Sequence, residues 1–155
     1  MIAVHDTVPN FTLQDDEDKT RSLEEFRGKP VVLFFYPKAD TPGCTIEACG
    51  FRDTFAKLQA AGAVVLGISR DTPKAQAKWK AKYELPYTLL ADVNAEVCNM
   101  FGVLKEKNMY GKKVKGIERT TYLIGPDGTL EKEFPKVKPE GHAEEVLAAI
   151  EAAKK

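Results

Sequence analysis

The chain has 155 residues, 43% of them hydrophobic, which suits one domain spanning residues 1–155 with a core of its own. Lysine plus arginine and aspartate plus glutamate both number 23, so the net charge is 0 and no global field draws the chain to nucleic acid or an anionic membrane. Three cysteines are odd in number and too few for a secreted disulfide scaffold, and no leader pattern or apolar run of about 18 residues occurs, so a cytoplasmic protein is expected.

Along the chain, Phe11 to Gln14 alternates as a short strand, and Ser22-Leu23-Glu24-Glu25 reads as a capping box opening a brief helical turn that Gly28 ends. Val31 to Tyr36 and Val64 to Ile68 are continuous apolar runs, as in strands covered on both faces. The segment between them reads as a helix, with Ile46, Phe51, Phe55 and Leu58 on its buried side and Gly62 at its end, making a β-α-β unit with parallel strands. Thr72-Pro73 opens a second helix to about Tyr83, in which Ala75, Trp79 and Tyr83 share a face, so Trp79 is read as core. Tyr87 to Ala91 reads as a strand, Asp92 to Phe101 as a short helix, and the lysine-rich stretch from Gly102 to Gly116 as a solvated loop. Ile117 to Ile124 and Thr129 to Phe134, joined through Pro126-Asp127-Gly128, form a hairpin. Gly141 to Ala153 is an amphipathic helix with Ala143, Val146, Leu147 and Ile150 inward, and His5 and His142 are read as exposed and inert.

Cys44 stands where the first long strand gives way to a helix. Pro42 is pre-shaped for the first helical position and Thr41 before it is a good N-cap, so Cys44 falls in the first turn, among unpaired N–H groups at the positive end of the helix dipole. That setting favours a thiolate, the nucleophilic form of cysteine. Cys49 follows on the same helix. In a reducing compartment a close cysteine pair is catalytic or metal-binding, and with His5 and His142 far away in sequence a four-ligand zinc site is the weaker of the two. Lys105, Lys107, Lys112, Lys113 and Lys115 could form a phosphate patch, but no aromatic residues interleave them in the manner of a nucleic-acid site. Arg119 has two readings by spacing: a solvated strand-end arginine, or one with a buried partner because it shares a strand face with Ile117, Thr121 and Leu123. Cys98 reads as core, with a second role as a resolving thiol left open.

The order β-α-β, a helical insertion, then β-β-α is that of the thioredoxin-like α/β fold, a mixed sheet between helical layers. Pro37-x-x-x-Thr41-x-x-Cys44 resembles the active-site signature of peroxiredoxins, the thiol peroxidases. The longer string Phe35-Tyr36-Pro37-Lys38-Ala39-Asp40-Thr41-Pro42-Gly43-Cys44-Thr45, followed by Cys49, is similar to the bacterioferritin-comigratory-protein branch, also called peroxiredoxin Q. The likeness runs from Val8-Pro9-Asn10-Phe11 through Gly67-Ile68-Ser69 and Phe101-Gly102-Val103 to the late hairpin, with Lys38-Ala39-Asp40 varying inside the motif.

The resemblance implies a peroxidase acting on hydrogen peroxide and organic hydroperoxides, with Cys44 peroxidatic, Cys49 resolving through an intramolecular disulfide, and Pro37, Thr41, Gly43 and Arg119 completing the pocket. It also implies a monomer without metal or organic cofactor, re-reduced by thioredoxin or a similar dithiol, with no nucleic-acid or membrane partner. A thioredoxin-type oxidoreductase would carry Cys-x-x-Cys, whereas four residues separate Cys44 from Cys49; a phosphatase cradle needs arginine where Gly50 stands. A fold-only binding protein would lack Cys44, Thr41 or Arg119, and all three are present. Residues five apart on an ideal helix have α-carbons about 8.7 Å apart. A disulfide tolerates about 7 Å. A Cys44–Cys49 bond therefore requires the helix to unwind between Gly43 and about Gly50.

Overall fold

The two apolar runs pair as their composition predicts. β3 (Val31–Phe35) and β4 (Val64–Ser69) are parallel, Val31 opposite Val64 and Phe35 opposite Ile68, and α1 (Pro42–Ala60) connects them. The computed structural model describes residues 1–153. Around this unit lie β1 (Thr12–Asp15), β2 (Thr20–Ser22), α2 (Pro73–Tyr83), β5 (Thr88–Ala91), α3 (Glu96–Phe101), β8 (Thr120–Ile124), β9 (Leu130–Phe134) and α4 (His142–Ala153). The main sheet is mixed and seven-stranded, in the order β2-β1-β5-β4-β3-β8-β9. No helix among the described residues is long and apolar enough to cross a membrane.

Strand alternation divides the core. Val32 and Phe34 point with Tyr36 toward a cluster that includes Phe51 and Leu58 of α1, Trp79 of α2, and Val146 and Ile150 of α4. Val31, Leu33 and Phe35 face the other way, against Val97, Cys98 and Phe101 of α3 and Tyr122 of β8. Both faces of β3 are covered, which is why its sequence is apolar without interruption.

Several local readings are corrected. Ile46 is 46% exposed, because on α1 the inward stripe runs through Cys44, Glu47, Ala48 and Phe51 instead. In α2, Ala75 is exposed and Gln76 is buried beside Trp79; the Gln76 amide donates to Ser69 Oγ and to the Leu90 carbonyl, each at 3.0 Å, which satisfies a polar group at a core position. The expected strand Ile117 to Ile124 is broken at Glu118 and Arg119. Ile117 and Leu123 consequently lie in opposite clusters rather than on one face. The lysine-rich stretch is ordered as a separate two-stranded ribbon, β6 (Leu104–Met109) and β7 (Lys112–Ile117). Tyr110 and Gly111 turn it with φ of 54° and 77°, a pair of positive values that suits the twist of a two-residue hairpin.

His142 is buried, not exposed. Its Nδ1 lies 2.9 Å from Glu145 Oε1 and its Nε2 lies 2.7 Å from Thr121 Oγ1, linking α4 to β8. Burial lowers its pKa, with Glu145 opposing that shift.

Candidate active site

The site is built at the carboxyl end of β3. Tyr36 still donates its N–H to the Ile68 carbonyl at 3.1 Å, but Pro37 has no N–H and ends the ladder. Asp71, just beyond β4, holds the following loop: its Oδ2 accepts the Ala39 N–H at 2.8 Å and the Ser69 hydroxyl at 2.6 Å. Asp40 takes a left-handed conformation, φ 58°, which redirects the chain into α1. Thr41 is the extended N-cap and its carbonyl accepts the Thr45 N–H at 2.9 Å, the first helical bond. Pro42, Gly43 and Cys44 therefore occupy the first three helical positions; Pro42 has no N–H, and the N–H groups of Gly43 and Cys44 have no partner within the helix. Thr41 does not cap with its side chain. Its hydroxyl donates backward to the Lys38 carbonyl at 2.7 Å, which leaves the oxygen lone pairs as acceptors.

Arg119 enters from the break between β7 and β8. Its carbonyl accepts the Val137 N–H at 2.9 Å, fixing the backbone, and its Nη1 donates to Cys44 Sγ at 3.4 Å and to Glu47 Oε1 at 2.8 Å. The Arg119 side chain is 16% exposed, so the buried-partner reading of its position is the one the structure favours. Gly43 permits the approach: a β-carbon there would sit 3.0 Å from Arg119 Nη2. One turn of helix beyond Cys44, Glu47 is wholly buried; its Oε2 has no hydrogen-bond partner among the described residues. Burial pushes the Glu47 carboxyl up to about 7, against the opposing pull of the guanidinium. Burial by itself lowers the Arg119 pKa, but the bonds to Glu47 and Cys44 more than reverse that.

Glu47 is the residue that reading the sequence missed. Its signal is faint but physical: an acid three residues after Cys44, on the helical stripe that continues through Phe51 and Leu58, must either break the stripe or find a buried cation.

The cysteines differ in environment. Cys44 is buried, Cys49 is half-buried, and both are free thiols on an uninterrupted α1. Cys98 is buried on α3, in the core cluster across the sheet from Cys44, and its N–H donates to Asp92 Oδ2 at 2.7 Å. Burial and the neighbouring Asp92 raise the Cys98 pKa, opposite to what a resolving thiol needs. Pro37 is exposed at the edge of the loop. Trp79 packs on Tyr36 with ring centroids 5.0 Å apart and donates its indole N–H to Thr45 Oγ1 at 3.3 Å, so its fluorescence is tied to the first turn of α1. Among the described residues, no group of three or more His, Cys, Asp or Glu side chains could hold a metal ion. Thr121, His142 and Glu145 line up like the hydroxyl, imidazole and carboxylate of a hydrolase, but Thr121 is 0% exposed and no substrate can reach it.

Comparison with known proteins places this geometry in context. Residues 4–133 match the model of the AhpC/TSA family. The chain is 53% identical over 149 residues to a putative peroxiredoxin bcp from Coxiella burnetii, covering 96% of this chain and 99% of that protein. It is 44% identical over 142 residues to the peroxiredoxin Bcp of Escherichia coli K12, covering 92% and 91%. Among solved structures, Xanthomonas campestris bacterioferritin comigratory protein, described for its alkyl peroxide reduction activity, matches with a TM-score of 0.89 at 41% identity, over 94% of this chain and 92% of that one. A cysteine-to-serine mutant of PrxQ from Xylella fastidiosa matches with a TM-score of 0.95 at 36% identity, over 100% and 99%.

Proposed function

The chain belongs to the AhpC/TSA family, in its peroxiredoxin Bcp group, and is a thiol peroxidase of thioredoxin-like fold; from that premise we propose that Cys44 attacks the peroxide and Cys49 resolves the product. The observation that carries the assignment is the Arg119 guanidinium held 3.4 Å from the Cys44 sulfur at the start of a helix. A fixed cation and a helix N-terminus both stabilise the negative charge that develops on the peroxide oxygens.

The Cys44 thiolate attacks one oxygen of a hydroperoxide, the O–O bond breaks, and the departing hydroxide or alkoxide takes up a proton. Thr41 suits the ground state, because its proton is committed to Lys38 and its lone pairs can accept the peroxide O–H. The N–H groups of Gly43 and Cys44 and the Arg119 fork serve the oxygens as donors, and Pro37, exposed at the edge of the loop, shapes the rim of the pocket. Cys44 is left as a sulfenic acid. The Cys49 thiolate displaces its hydroxyl, which leaves as water, and a disulfide forms. A dithiol protein of the thioredoxin type then exchanges with it through a mixed disulfide, returning two electrons and two protons to Cys44 and Cys49 while becoming a disulfide itself.

Because α1 is continuous through Gly50, the resolving step proceeds by local unwinding of its first two turns. We read hydrogen peroxide and alkyl hydroperoxides as the substrates, the monomer as the working unit and the cytoplasm as its setting. Peroxide consumption coupled to thioredoxin, thioredoxin reductase and NADPH tests the cycle. Turnover with the natural chain and none with Cys44→Ser is expected. Turnover retained by Cys44→Ser would refute the assignment.

A further inference from the structure

The β6–β7 ribbon stands at the same end of the sheet as Cys44. Thr120, the first residue of β8, lies opposite Phe35, the last of β3, so the ribbon emerges beside the strand end from which the Cys44 loop departs. Its base is fastened by the Glu118 N–H on the Val103 carbonyl at 2.8 Å and by Arg70 Nη2 on the Lys115 carbonyl at 3.0 Å. Ile117 is buried at that base, two residues before Arg119.

Beyond the base the ribbon's described side chains are exposed on both faces. Lys105, Lys107, Lys112, Lys113 and Lys115 are all exposed, and so is Tyr110, at the turn. An isolated two-stranded hairpin with both faces wet gains little from folding by itself. Its charge is also unlike that of the rest of the chain. Residues 104–117 hold five lysines against one glutamate, a net charge of +4 on a chain whose total is 0. Lys107 stands opposite Val114 and Lys105 opposite Gly116, so one face carries Lys105, Lys107 and Lys112 around an apolar Val114. Glu118, 4.0 Å from Lys105, is the acid at its foot.

We propose that this basic ribbon is the docking surface for the acidic face of the dithiol protein that reduces Cys44–Cys49. The inference rests on the reductant reading above. A macromolecule must visit this end of the sheet once per turnover, whereas a hydroperoxide is small and uncharged and needs no such surface. Complementary charge raises the encounter rate of protein partners and fixes their approach. A second copy of the chain seated ribbon to ribbon would place like charges together.

The test uses full-length protein with the triple charge reversal K105E/K107E/K112E and the milder K105Q/K107Q/K112Q. The first should lower kcat/KM for an acidic thioredoxin by about ten-fold or more at low salt and flatten its salt dependence; the second should do so less. Single-turnover oxidation by peroxide and reduction by dithiothreitol should stay within about two-fold of the natural chain, which also verifies folding. If the natural chain cycles with thioredoxin and the triple reversal cycles equally well, the docking proposal is overturned while the reductant reading stands. If the natural chain cycles with dithiothreitol but with no acidic dithiol protein, both fall. Cosedimentation of the natural chain, but not the triple reversal, with phosphatidylglycerol vesicles, at unchanged thioredoxin kcat/KM, would overturn the proposal in favour of a membrane surface.

Discussion

Arg119 donates one N–H to the buried carboxylate of Glu47 over 2.8 Å, and the same nitrogen faces the Cys44 sulfur at 3.4 Å. In the proposed function the pair holds the guanidinium so that its remaining donors can meet a peroxide without reorganising. A lysine ammonium is a point charge on a flexible stem and cannot serve the acid, the sulfur and the substrate from one fixed plane. Arg119→Lys should therefore slow oxidation of Cys44 by about ten-fold or more, a barrier increase of at least ~1.4 kcal/mol. Stopped-flow fluorescence of Trp79 would measure it, and an unchanged rate constant would remove Arg119 from the chemistry.

Glu47 carries a pH signature. Burial raises its carboxyl from 4.5 in the unfolded chain to about 7 in the fold, so between those values the folded protein holds more protons than the unfolded one. Stability from this group is accordingly full below about 4.5 and falls as pH rises toward 7, by an amount on the order of 3 kcal/mol. Glu47→Gln should flatten that slope, gaining on the natural chain as pH rises from 5 to 8. Urea denaturation across that range checks it; parallel curves for the two proteins would contradict the buried-acid account.

What could be read from the sequence was whatever had a local physical cause. Thr41-Pro42 before Cys44 announces a helix start through backbone chemistry that no distant contact alters, and Val31 to Tyr36 announces a doubly covered strand. The β6–β7 ribbon was hidden because its lysines face both ways and its turn is Tyr110-Gly111 rather than Asn-Gly. The break at Glu118 and Arg119 was hidden because Ile117 and Thr120 to Ile124 are apolar enough to read as one strand. Ile46 misled because the inward position beside Cys44 belongs to Glu47, whose reason for burial lies 72 residues away at Arg119.

His142 gives the opposite slope. Its pKa is lowered by burial from 6.5, so below about 6.5 the unfolded chain takes up a proton that the fold resists, and stability is lost as pH falls through that window. Protonation would also make both ring nitrogens donors, so that Thr121 Oγ1, 2.7 Å from Nε2, would have to accept. His142→Gln should lose less stability than the natural chain between pH 7.5 and 5.5, in the same denaturation experiment. A larger loss in the variant would show that the imidazole is not the titrating group.

The three thiols should separate cleanly. Cys44→Ser should abolish turnover, since a serine hydroxyl is not ionised at neutral pH. Cys49→Ser should consume about one equivalent of peroxide and stop at a sulfenic acid trappable by dimedone or at an intermolecular disulfide. Cys98→Ser should turn over normally, because Cys98 lies across the sheet from Cys44. Normal turnover by Cys49→Ser with a stalled Cys98→Ser would reverse the resolving assignment.

The central claim is that α1 opens so that Cys49 can reach Cys44, and hydrogen exchange on the reduced and peroxide-oxidised protein tests it most directly. In the reduced protein the N–H groups of residues 45 to 50 are bonded within the continuous helix from Pro42 to Ala60. After one equivalent of peroxide, with the Cys44–Cys49 disulfide verified by mass spectrometry, those amides should lose protection while the stretch through Phe51 to Leu58 keeps it. Equal protection of residues 45 to 50 in both states, with the disulfide present, would contradict unwinding and with it the proposed route from sulfenic acid to disulfide.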